Sequence, residues 1–138
     1  MIKDIRYVEW SDGFKVNIKV IDKQHKHFIG IMDKLFKAMQ SNEKMAVPKI
    51  IDELVEYADV HFATEQELFS KYKYPAADEH IAEHRMIQDK IAGFVAKKYD
   101  DPFKLGYNLL DLLEDWLLKH LASMDIKYAK FLHEQGVK

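Results

Sequence analysis

The chain has 138 residues, 48% of them hydrophobic, with 21 basic and 23 acidic side chains and a formal net charge of -2. That length suffices for one domain with a sizeable core, and the near-neutral balance argues against nucleic acid or an anionic membrane surface as a partner. With no cysteine, no signal-peptide pattern and no apolar run near the roughly 20 residues that span a bilayer, disulfides, thiolate chemistry and membrane insertion are excluded and a soluble cytoplasmic protein is expected.

Residues 1–21 show no helical period. Trp10, Phe14, Val16, Ile18 and Val20 predict an extended arm laid along the body, with Ser11, Asp12 and Gly13 as a turn. Asp22 is the expected N-cap of a first helix reaching about Gln40, and His25, Phe28, Ile29, Met32, Leu35, Phe36 and Met39 form its apolar stripe. His27 points about 200° from His25 and is expected in solvent. A polar connector at residues 41–44 precedes a second helix with Pro48 in its first turn, ending near Tyr72. Its stripe is Ile51, Leu54, Val55, Ala58, His61, Phe62, Glu65, Leu68, Phe69 and Tyr72. A glutamate in that row is the anomaly, because an unpaired buried carboxylate costs several kcal/mol.

Tyr74 and Pro75 mark a corner, and a third helix follows to about Lys98 with His80, Ile81, His84, Ile87, Ile91, Phe94 and Val95 inside. Asp101 as cap and Pro102 in the first turn open a fourth helix running to about His133. Its stripe is Leu109, Leu113, Trp116, Leu117, His120, Leu121 and Met124. Asp125 lies about 140° around a regular helix from His120. Tyr128, Ala129 and Leu132 share the face of Asp125, so a π-bulge between His120 and Asp125 is expected. The fold class is all-α: an up-down-up-down four-helix bundle (residues 22–134) behind an N-terminal arm (1–21), one domain over 1–138.

His25, His61, Glu65, His80, His84, His120 and Asp125 thus converge from every helix. Any one of these histidines alone reads as a hydrogen-bonded core residue; five on converging stripes with buried carboxylates read as metal ligands. Imidazole suits iron, zinc, copper or nickel rather than calcium or magnesium. One ion cannot use seven such ligands, whereas two can if the carboxylates bridge. With Glu65, Asp125 and a solvent oxygen shared, five imidazoles divide as three and two, leaving one ion complete and the other with an open position.

The segments DKQH around His25, HFATEQ from His61 to Gln66, YPAADEHIAEH ending at His84 and WLLKHLASMD ending at Asp125 resemble the hemerythrin family. The single-domain bacterial members are most similar, and Trp10 with the arm fits as well. The resemblance implies two non-haem iron ions bridged by an oxo or hydroxo group, binding O2 reversibly at the open position. It also implies that His80, His84 and His120 serve the complete iron, that His25 and His61 serve the open one, and that Glu65 and Asp125 bridge. Two positions depart from the family: Gln66 where a second glutamate is frequent, and Ile87 near a usual large aromatic. Phe28, Ile29, Phe62, Trp116 and Leu117, each a turn or less from a ligand, are the expected dry O2 pocket. Oxygen carriage, storage or delivery to an O2-consuming enzyme is the function so implied. Its rivals are O2 or redox sensing, iron handling, and di-iron enzyme activity such as a peroxidase or nitric oxide reductase.

Overall fold

Apolar residues at three- and four-residue spacing fold into four antiparallel helical rods. The computed structural model describes residues 10 and 12–138, apart from the side chains of Leu117, Leu118 and Ala122. The expected arm residues 1–9 and 11 therefore lie outside the described residues, as does the side chain of Leu117 in the expected O2 pocket. Helix α1 spans Lys19–Gln40, α2 Val47–Tyr72 and α3 Ala77–Ala96. The fourth rod is continuous but composite: α4 (Pro102–Trp116), a π-helical stretch (Leu117–Met124) and α5 (Asp125–Glu134). No strand occurs among the described residues, and none of their helices is long and apolar enough to cross a membrane.

The start of α1 corrects the sequence reading. The helix begins at Lys19, and Asp22 sits in its first turn rather than at the N-cap. Its carboxylate accepts the backbone N–H groups of Val16 at 2.7 Å and Asn17 at 3.1 Å instead, across a reversal at Asn17, whose φ is 61°. Asparagine tolerates that left-handed conformation better than most residues. The arm ends there: Asp12–Phe14 form a 3-10 turn, Val16 and Ile18 are buried, and Val20 stands exposed on α1. Trp10 and Phe14 pack against the main core, and Lys26 lies 5.3 Å over the Trp10 ring.

The corner between α2 and α3 follows from local chemistry. Lys73 takes a left-handed conformation (φ 55°), and the N–H of Tyr74 donates to the Phe69 carbonyl at 3.0 Å, the bond that closes a Schellman cap. The Tyr74 ring packs on Phe69 with centroids 5.0 Å apart, the apolar contact that usually accompanies such a cap. Pro75 cannot extend α2, and α3 starts at Ala77. At the head of α4, Asp101 accepts the Lys104 N–H at 3.3 Å and Pro102 occupies the first helical position.

Helix α1 packs against α2 and α4, and α2 against α3. The interior holds two apolar clusters. One contains Phe28, Leu35, Ile51, Leu54, Phe62, Leu109 and Leu113; the other gathers Val16, Ile18, Ile21, Phe69, Tyr128 and Leu132. Burying each such side chain is worth roughly 1.5–3 kcal/mol. Between the clusters lies a layer of polar side chains, with Phe62 stacked on His84 from one side and Phe69 against His80 from the other.

Candidate metal centre

Each rod presents its polar residues at helical spacing toward this layer. Helix α1 supplies His25, α2 His61 and Glu65, α3 His80 and His84, the π stretch His120, and α5 Asp125. None of the seven is more than 1% exposed, so the stripes predicted from sequence place them all inside. His27 and His133 fall outside the layer, as expected. His27 faces Glu53 at 3.3 Å with half its side chain in solvent, and His133 lies 3.1 Å from the Asn17 carbonyl.

The expected π-bulge is present as a π-helical stretch, in which the Asp125 N–H donates to the His120 carbonyl five residues back. Widening the turn carries Asp125 onto the face of His120, and the His120 Nε2 to Asp125 Oδ1 distance is 3.1 Å. The same oxygen lies 3.3 Å from His80 Nε2, while Oδ2 lies 2.9 Å from His25 Nε2. Glu65 Oε1 lies 3.0 Å from His84 Nε2, 3.2 Å from His61 Nε2 and 3.6 Å from His80 Nε2. The ligand atoms fall into two groups, each within 4.8 Å: Glu65, His80, His84 and His120, and His25, His61 and Asp125.

The electrostatics ask for cations. Burial opposes ionisation of Glu65, yet the charge of His61 and the close approach of His61, His80 and His84 to its oxygen hold its carboxyl well below the usual range. Asp125 is disfavoured by burial and by the Glu65 charge, but the close approach of His120, the hydrogen bond with His25 and the approach of His80 prevail and lower it too. Burial works against a charge on His80, while its close approach to Asp125 and Glu65 and their charges push it up to about 9. Two anions thus share one dry layer, and several of its polar atoms find no hydrogen-bond partner: Glu65 Oε1 and Oε2, and Nε2 of His61, His80, His84 and His120. Such orphaned buried groups each cost roughly 1–3 kcal/mol unless something satisfies them. Atoms bound at right angles to one ion at about 2.1 Å lie about 3.0 Å apart, which matches the nitrogen–oxygen separations here. The residues present fit metal ions.

Aromatic rings hold the imidazoles in place. Trp116 stacks on His120 (centroids 3.9 Å, 11° between planes), Phe62 on His84 (4.0 Å, 16°) and Tyr57 on His61 (5.4 Å, 11°). Of the expected pocket residues, Phe62 and Trp116 thus lie against the three-histidine group, with Phe62 also 5.8 Å from His61. Phe28 and Ile29 are buried, Phe28 beside Tyr57. A cavity of about 290 Å³ between α3 and the fourth rod reaches His120 and Trp116, and Ile87 lines it.

Three residues at the site escaped the sequence reading. Tyr57 lies four residues before His61 on the same face, a spacing that could have identified it. Gln24 and Thr64 carried no such signal. They meet each other across α1 and α2, and Gln24 Oε1 lies 2.7 Å from His61 Nδ1.

The sequence matches a family model described as the hemerythrin HHE cation binding domain over residues 16–132. Bacteriohemerythrin of Stenotrophomonas maltophilia is 33% identical over 124 residues, covering 87% of this chain and 78% of that protein. Myohemerythrin of Sipunculus nudus is 29% identical, with 86% and 88% covered. A crystal structure of wild-type hemerythrin superposes with a TM-score of 0.81 at 24% identity, covering 91% of this chain and 97% of that one, a likeness of fold.

Proposed function

This chain belongs to the hemerythrin family, and we propose that it binds O2 reversibly at a centre of two non-haem iron ions, for carriage, storage or delivery. Held by these residues, two iron ions would supply the electrons that hold O2. Carrying this reading is the unequal division of donors: three imidazoles with Glu65 in one group, two with Asp125 in the other. Asp125 faces His25 with one oxygen and His80 and His120 with the other, and Glu65 Oε1 faces both His61 and His84. Each carboxylate is therefore poised to serve both groups. Shared that way, they would leave the His25–His61 group with one protein donor fewer than the other, the side on which O2 would bind.

The remaining residues keep the site neutral, rigid and dry. An imidazole bound to a metal is neutral, the ion replacing the proton that His80 otherwise carries, so among the described residues the two carboxylates are the anions the cations must balance. Phe28, Ile29, Phe62 and Trp116 surround the layer with apolar surface, which favours an uncharged diatomic ligand over water. Carboxylate-rich di-iron proteins of the ferritin type draw a glutamate from each of two helices and Glu-x-x-His from two others. Here, among the described residues, two carboxylates join five histidines, a poorer donor set for stabilising oxidised iron, which favours binding over turnover.

The test is an optical titration of the reduced, iron-loaded protein. Under the proposal an oxygenated spectrum appears with O2 and is abolished by vacuum through repeated cycles. Irreversible oxidation on first exposure, or rapid consumption of peroxide or nitric oxide with a reductant, would assign the chain to a di-iron enzyme instead.

A further inference from the structure

A chain of three hydrogen bonds runs from the backbone of α2 to the imidazole of His61, and each link dictates the direction of the next. The Thr64 hydroxyl lies 2.9 Å from the Val60 carbonyl oxygen. A carbonyl can only accept, so the Thr64 proton goes to it. Thr64 Oγ1 is then left to accept from Gln24 Nε2 at 3.0 Å. That contact turns the amide so that Gln24 Oε1 faces His61 Nδ1 at 2.7 Å. Since Oε1 cannot donate, Nδ1 carries the hydrogen. A neutral imidazole has one N–H, so His61 Nε2 keeps its lone pair, aimed at Glu65 Oε1 3.2 Å away. In that neutral form two lone pairs face each other, an arrangement that a proton or a metal ion between them relieves.

We propose that Gln24, clamped by Thr64, is the positioning residue that sets the tautomer of His61 and readies its Nε2 for iron. The inference rests on the reading of His61 as an iron ligand. Its effect is local to one half of the centre. Nδ1 of His25, His80, His84 and His120 has no hydrogen-bond partner among the described residues, whereas the outer nitrogen of His61 is held by a side chain. The stacked Tyr57 ring fixes the plane of the same imidazole, so position, plane and tautomer are all set before the metal arrives. Both relay residues adjoin ligands in sequence, Gln24 beside His25 and Thr64 beside Glu65, so the relay also ties α1 to α2 at the depth of the site. Outer partners of this kind orient the ring and raise its basicity, and their loss typically weakens metal binding about 10–100-fold.

The experiment follows iron release from the loaded full-length chain to a ferrous chelator under anaerobic reducing conditions, with thermal melts run alongside. Gln24→Leu removes the acceptor at nearly constant volume. One of the two irons should then leave about 10–100-fold faster, while the other leaves at the wild-type rate. Gln24→Glu keeps an acceptor oxygen on Nδ1 and should restore slow release. Thr64→Val frees the amide to turn and should fall between the two; it carries the comparison if Gln24→Leu does not fold. Unchanged release in Gln24→Leu and Thr64→Val, equal acceleration of both irons, or failure of Gln24→Glu to rescue would overturn the assignment. Wild-type protein holding fewer than two irons would instead contradict the proposed function, and the premise with it.

Discussion

His120 Nε2 and Asp125 Oδ1 lie 3.1 Å apart although five residues separate them in the chain. In a regular helix their side chains would diverge by about 140°; the π stretch Leu117–Met124 absorbs one extra residue and brings them together. Deleting exposed Ser123 should therefore restore an ordinary helix without rotating α5. We expect that variant to keep its full iron content and to lose only the Ser123 bond to the Lys119 carbonyl. Loss of iron on deletion would mean that Asp125 reaches the site by some route other than the widened turn.

Histidine content alone does not make the centre. His27→Ala and His133→Ala should leave iron per chain unchanged, because both side chains lie at the surface. His61→Ala should lower it, because its Nε2 is buried against Glu65. Metal analysis of the three purified variants checks this, and iron loss in His27→Ala would contradict the assigned helix faces.

The metal-free protein should respond to pH in a defined window. His80 is raised from 6.5 to about 9 in the fold, so its contribution to stability is complete below about 6.5 and disappears as pH climbs to about 9. Glu65 and Asp125 are depressed from 4.5 and 3.8; their contribution is present above those values and is lost as pH falls through their lower folded values. Melts of chelator-treated protein should therefore show Tm falling between pH 6.5 and 9. Loaded protein should lack that fall, because a metal takes the place of the His80 proton and loading releases protons. A flat profile in the metal-free protein would show that His80 is not charged there.

Gly106 of α4 faces Met39 of α1 so closely that an added Cβ would overlap the Met39 sulfur. Gly106→Ala should gain about 1 kcal/mol of helix propensity and lose about 1–3 kcal/mol to overpacking. The net expectation is a loss of up to about 2 kcal/mol. Met39→Ala should make room for the methyl, so the double variant should be less destabilised than the sum by about 0.5–3 kcal/mol. Urea unfolding of the four proteins measures the coupling; additive losses would mean that Met39 simply moves aside.

Much of this was legible before the structure. His61 with Glu65 and His80 with His84 declare themselves by i, i+4 spacing on apolar stripes, and all four are buried. Asp125 was legible only because Tyr128, Ala129 and Leu132 shift face with it, and all three are buried as that shift requires. The start of α1 was not, since an acidic residue reads alike at an N-cap and in a first turn; the reversal at Asn17 decides between them. The Gln24–Thr64 contact was invisible for a different reason: each residue lies off its own helix's apolar stripe, and their meeting depends on how α1 and α2 are set against each other. Periodicity reports which face is buried, not which polar atoms meet at its margin.

The central claim is a dinuclear centre built from these seven residues, and iron stoichiometry tests it most directly. After anaerobic reconstitution and removal of loosely bound metal, the account predicts two irons per chain. On oxidation, near-ultraviolet absorption from a bridging oxygen should appear with them. One iron per chain, or two without that absorption, would contradict it.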